Sequence, residues 1–120
     1  MRFMTVVKSA ENQNPPPALF QAIGELGQQA GKKMLWMGGL MNSNAGARIR
    51  LDHGKVRVSD GPFSEAKEVI GGFAVYEVES KEEALEWCQR FVGVHIKHWP
   101  ECVMEVELRQ LFDGPPPPKA

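Results

Sequence analysis

Long apolar runs are missing from this chain. None approaches the roughly 20 residues that a membrane-crossing helix needs, so no membrane partner is expected. The opening Met1-Arg2-Phe3-Met4-Thr5-Val6-Val7 is too short for the apolar region of a signal peptide and lacks a small-residue cleavage pattern. It reads as a strand. Cysteine is scarce too: Cys88 and Cys102 are the two present. They make no disulfide framework and no metal-spaced motif, and a reduced, cytoplasmic setting follows. Net charge is almost absent, since 14 Lys and Arg against 15 Asp and Glu leave −1. No overall field therefore draws in nucleic acid. His95 and His98 stand three apart with no third ligand nearby, so no metal is expected. Glycine pairs occur at Gly38-Gly39 and Gly71-Gly72, but neither opens a strand-to-helix fingerprint. They read as bulges or close backbone contacts, and no cofactor is expected.

What is present suits one domain. The length of 120 residues and 42% apolar content fit a single globular core. A β-branched run at 2–8 predicts a central strand. Pro15-Pro16-Pro17 leads into a helix over 17–30, whose Leu19, Ile23, Leu26 and Ala30 fall at helical spacing, with Gly31 as its stop. A strand is expected at 33–40. A hairpin is expected over 47–51 and 55–58, turning at Asp52-His53-Gly54. Ile49, Leu51, Val56 and Val58 would share one of its faces; Arg48, Arg50, Lys55 and Arg57 would form a solvated cationic face. A strand follows at 70–78. Ser80 with Glu83 reads as a capping box, opening a helix with a stripe of Ala84, Leu85, Cys88, Phe91 and Val92 and an end at Gly93. His95, His98 and Pro100 fall in the next loop, His53 in the hairpin turn, and all three histidines read as exposed. The last strand is expected at 103–111. Residues 1–112 would form the domain, and 113–120 a proline-rich, extended tail.

The middle of the chain, Asp60-Gly61-Pro62-Phe63-Ser64-Glu65-Ala66-Lys67-Glu68, reads as a stiff turn followed by charge. Glycine before proline tolerates the unusual angles there, and the residue before proline is pushed out of the helical region. Asp60 has two readings. It either gathers the amides beyond Pro62, or acts as a general base or cation holder in a partly dry site, and the turn reading leads. Arg48, Lys67 and Glu68, with Glu65, are the candidate substrate-binding residues; loosely paired surface charge is the plainer reading. Ser64-x-x-Lys67 matches a serine–lysine nucleophile spacing, but the accompanying Ser-Asp-Asn and Lys-Thr-Gly elements are missing. Trp36, Trp87, Trp99 and the six methionines read as core or dimer packing.

This central stretch, with Gly72-Phe73, Gly46-Ala47-Arg48, Ser80-Lys81-Glu82-Glu83-Ala84 and Glu86-Trp87, resembles the signature of the DGPF proteins of the YCII-related family. The resemblance implies an α+β fold: a ferredoxin-like βαββαβ subunit, here with an inserted β-hairpin, pairing into a dimeric α/β barrel. It implies no particular reaction. A hydroxyl residue is usual in that motif where this chain has Ala66. Some relatives carry a proposed catalytic His–Asp pair with the histidine on the first helix; 17–30 holds none here, so that mechanism does not transfer.

Two helices cover one sheet face. The other carries Phe, Met, Val and Trp and needs a cover, which a second copy of the chain supplies most simply. The function expected is binding of a small metabolite in a cleft of a homodimer, between sheet and partner, with its chemical transformation left open. The alternative is a non-catalytic interaction or regulatory module whose function is the dimer surface.

Overall fold

A computed structural model of the chain describes residues 1–63 and 66–114. Ser64 and Glu65 of the central stretch, and positions 115–120 of the expected tail, lie outside the described residues. The elements run β1 (Arg2–Ser9), α1 (Pro17–Ala30), β2 (Met34–Gly39), β3 (Ala47–Asp52), β4 (Lys55–Asp60), β5 (Val69–Glu77), α2 (Lys81–His98) and β6 (Met104–Gln110). Four strands form one sheet in the order β2-β5-β1-β6. All its pairings are antiparallel. This α+β arrangement, two helices and an antiparallel sheet, is consistent with a ferredoxin-like fold. β3 and β4 pair with each other in a separate two-stranded sheet.

Local chemistry explains the helix ends. α1 starts at Pro17, whose fixed φ suits a first turn and whose missing N–H is not needed there. It ends at Gly31, with φ of 57°, where the glycine N–H donates to the Gly27 carbonyl. At α2 the Glu83 amide donates to Ser80 Oγ at 3.1 Å, and Glu83 Oε1 reaches back to the Glu79 amide at 3.1 Å. The first contact satisfies an amide that the first turn leaves unpaired, and the second ties the residue before the cap back to it.

The core lies between the helices and one sheet face. Phe3, Leu26, Ala30, Ala74, Tyr76, Val78, Ala84 and Trp87 form its buried cluster, with Met34, Met37, Phe91, Val94 and Leu108 packed against it. Tyr76 and Trp87 stack at 6.3 Å between ring centroids, and the Arg90 guanidinium covers the outer side of Trp87 at 4.6 Å. Cys88 is buried, Cys102 half-buried, and both are free thiols.

Two expectations for α2 are corrected. The helix does not stop at Gly93 but continues to His98. A mid-helix glycine costs only about 1 kcal/mol, and Val94 and His95 beyond it are packed. The buried stripe keeps Ala84, Cys88 and Phe91 as expected, gains Trp87 and His95, and loses Leu85 and Val92. Ala84, Trp87, Cys88 and His95 face inward, at positions that recur every three to four residues, whereas Leu85 and Val92 are 41% and 36% exposed.

Alternation along the strands puts Met4, Val6, Phe73, Val75 and Trp36 on the outer sheet face. Trp36 is 67% exposed and meets Phe73 edge-on at 4.9 Å. On the β6 side that face turns ionic: Glu107 binds Lys8 at 3.0 Å and Arg109 at 3.2 Å.

Candidate functional site

Two hollows flank the sheet's β2–β5 side. The first is a cavity of about 440 Å³ between the helices and the sheet. Its walls are apolar, from Leu19, Ile23, Met34, Met37 and Phe91 among others. Its polar side-chain groups come from Thr5, Ser9, Tyr76, His95 and the indole N–H of Trp99. Among the described residues no charged side chain lines it.

His95 is a residue that sequence reasoning missed. It sits on α2 rather than in a loop, 7% exposed. Its Nδ1 lies 2.9 Å from the Phe91 carbonyl oxygen. A carbonyl can only accept, so Nδ1 carries the proton and Nε2 is the free lone pair. The ring packs against Phe91 at 4.6 Å and near Trp99 at 6.4 Å. The available signal was helical spacing: His95 follows Ala84, Cys88 and Phe91 on the inward face once Gly93 is not taken as a stop. Tyr76 also lines the cavity, and burial pushes its phenol up to about 12, so it stays protonated.

Burial holds the His95 imidazole below its ordinary value of 6.5, against a smaller opposing pull from the Phe91 carbonyl. The unfolded chain therefore binds this proton more readily than the folded one. The resulting stability is full above about pH 6.5 and is lost as pH falls through the depressed folded value. Urea midpoints are expected to be higher at pH 7.5 than at pH 5.5, and the gap should narrow in His95→Gln. An unchanged gap in that variant would show that His95 is not the group responsible.

The second hollow, about 550 Å³, lies beside the central turn. Leu40, Met41, Val69 and Ile70 form its apolar part, and Glu11, Arg48 and Glu68 bring charge. Ser43 organises the turn. Its amide and hydroxyl both donate to Glu11, at 2.5 Å each. These two bonds hold the Glu11 carboxyl below its ordinary value. Ser43 Oγ accepts the Phe63 amide at 2.9 Å, and the Ser43 carbonyl accepts the Gly46 amide at 2.9 Å. The Gly61 amide donates to the Gly46 carbonyl at 2.9 Å, and the Gly61–Pro62 peptide is cis. Arg48 lies over the Phe63 ring at 4.0 Å.

The predicted site residues divide accordingly. Arg48 and Glu68 meet at the second hollow. Asp60, paired with Ala47 at the end of β4, and Lys67 are both exposed and line neither hollow. The Phe63 amide, which Asp60 was expected to gather, goes to Ser43 instead. Glu65 and the Ser64 half of the serine–lysine spacing lie outside the described residues. His53 is exposed in the hairpin turn, at φ of 50° beside Gly54 at 80°, the conformation a two-residue hairpin turn requires.

The YCII-related domain matches residues 1–95, which hold β1 through most of α2 and both hollows' principal walls. No curated protein matches the chain. Among the described residues no helix is long and apolar enough to cross a membrane.

Proposed function

The chain belongs to the YCII-related family, and from that premise we propose that it is a small-molecule-binding protein acting as a homodimer, with the cavity between helices and sheet as its ligand site. The observation that carries this reading is the cavity's character. A volume near 440 Å³ falls in the range of about 300–1,000 Å³ typical of ligand pockets. Its lining combines apolar walls with a few polar groups, as such pockets do. Because no described charged residue lines it, a charged ligand would lose its hydration without gaining a counter-ion. The ligand is a neutral molecule.

The homodimer rests on surfaces a lone subunit leaves in water. The outer sheet face carries Met4, Val6, Trp36, Phe73 and Val75. On β3 and β4, Ile49 pairs with Val58 and Leu51 with Val56, and all four are 63–72% exposed. A two-stranded hairpin is marginal alone in water, so this ribbon calls for a partner surface. The radius of gyration points the same way: 16.4 Å, against roughly 13.6 Å for a compact domain of this length. In this reading the second hollow is a subsidiary polar site, where Glu11, Arg48 and Glu68 are the charged groups in the lining.

A thermal-shift screen of neutral metabolites tests the ligand site. Ligands that bind only the folded state raise its melting temperature by mass action. Ile23 lines the cavity from α1 and is half-buried. Ile23→Trp should fill the space and abolish the shifts. Shifts that persist undiminished in a folded Ile23→Trp protein would place the ligand elsewhere and refute this site.

A further inference from the structure

His95 Nε2, a ring nitrogen without a protein partner among the described residues, points to the ligand's own chemistry; this inference rests on the cavity being the ligand site. His95 Nδ1 is committed to the Phe91 carbonyl at 2.9 Å, which leaves Nε2 as an acceptor. Among the described residues no protein group donates to Nε2, and no buried side-chain nitrogen or oxygen lacks a hydrogen-bond partner. Nε2 is therefore not enclosed in protein but borders open space. His95 lines two such spaces, the 440 Å³ cavity and a hollow of about 120 Å³ behind it, walled by Val92, Ile96, Pro100, Cys102 and Met104. The larger is the one with room for a ring-sized molecule.

The surroundings fix what such an acceptor selects. The Phe91 ring packs on the imidazole at 4.6 Å, Trp99 lies near it at 6.4 Å, and the bond from Nδ1 to the Phe91 carbonyl gives the remaining lone pair a set direction. With no described charged side chain in the lining, nothing there pairs with a protonated imidazole or an ionised ligand. The complement of a fixed, neutral acceptor that a bound ligand would cut off from water is a donor hydrogen, because an acceptor left unpaired there is penalised. The apolar walls select a flat or branched hydrocarbon body. We propose that the cavity recognises small neutral molecules built on an aromatic or aliphatic ring that carry a hydroxyl donor of the phenol or enol type, and that His95 Nε2 accepts that hydrogen. His95 then acts as the specificity-determining residue of the cavity, and Tyr76 and Thr5 offer hydroxyls to any further polar group on the ligand.

A pair of probes tests this: 4-propylphenol and 4-propylanisole, in which an O-methyl group replaces the donor hydrogen. Binding is measured by NMR titration on the native protein, on His95→Asn and on Ile23→Trp. In Asn the side-chain amide can replace Nδ1 as donor to Phe91, while its Oδ1, on a shorter side chain, does not reach the place of Nε2. The native protein should prefer the phenol by about three- to tenfold, the worth of one hydrogen bond. His95→Asn should bind both equally, at the level of the native protein with the anisole. Equal binding of the two probes by the native protein overturns the role of His95 and leaves the cavity standing, provided Ile23→Trp abolishes both. A phenol preference that survives His95→Asn likewise overturns it. No binding of either probe by the native protein, or binding unaffected by Ile23→Trp, removes the cavity reading itself and the inference with it.

Discussion

Replacing Gly61 with alanine is expected to break the central turn. A Cβ built on Gly61 would lie 1.6 Å from the Ser43 carbonyl oxygen and 2.5 Å from its carbon, distances that no real contact shows. The obstacle is backbone, so no rotamer change can relieve it. Ser43 has nowhere to retreat. Its amide and hydroxyl are held by Glu11, its hydroxyl also takes the Phe63 amide, and its carbonyl takes the Gly46 amide. Gly61 is tied in turn to Gly46. The whole segment has to move, with an expected loss of about 3 kcal/mol or more, at the upper end for an overpacked site. Gly93→Ala is the comparison. Its added methyl meets nothing within 4 Å on a mid-helix position, and it should gain up to about 1 kcal/mol. Urea melts measure both, and a Gly61→Ala protein as stable as the parent would contradict the close approach of these two backbone segments.

The second large effect concerns association. The parent chain should scatter light as a dimer at micromolar concentration, with an interface of about 1,600 Å² or more. Leu51→Glu should shift it to monomer. Leu51 is 72% exposed in the subunit and sits opposite Val56 on the apolar face of the hairpin. A charge there leaves the isolated subunit almost unchanged, within about 0.5 kcal/mol, as for other surface substitutions. In an apolar interface the same carboxylate would be desolvated and unpaired. A monomeric parent would remove the homodimer from the proposed function. A variant as dimeric as the parent would exclude the hairpin from the interface.

These two predictions draw on information of different range. The hairpin was legible because alternation and turn chemistry are local: Ile49, Leu51, Val56 and Val58 share a face through strand pleat alone. α1 and the Ser80 cap are legible for the same reason, since Pro17, Gly31, Ser80 and Glu83 act within one helical turn. The clamp on the central turn was not legible. Glu11, Ser43 and Phe63 are far apart in the chain, and no pattern in the sequence marks Ser43 as the acceptor for the amide beyond Pro62. Asp60 was the nearer and more obvious choice. The cavity was hidden for a related reason. Its lining comes from both helices and three strands, and His95 joins it only if Gly93 is carried inside the helix. Local propensity argues for a stop at that glycine, and packing decides otherwise.

The position of β1 has a consequence for how the molecule is made. β1 is made before the other strands of its sheet, yet it is an inner strand, and both its neighbours come late: Phe3 pairs with Tyr76 on one side and with Gln110 on the other. Until β5 is synthesised, β1 has both edges open, and until β6 follows, one edge remains so. Those edges are rows of unpaired amides and carbonyls on a β-branched, apolar segment, the kind of surface that joins other chains. The hairpin, whose contacts are local, forms early on the microsecond scale, but the sheet waits on closure of loops spanning most of the chain. The nascent protein thus spends much of its synthesis with this strand unprotected, and destabilising β6 or α2 would be felt first as aggregation during production, ahead of any change in the melting of the finished fold.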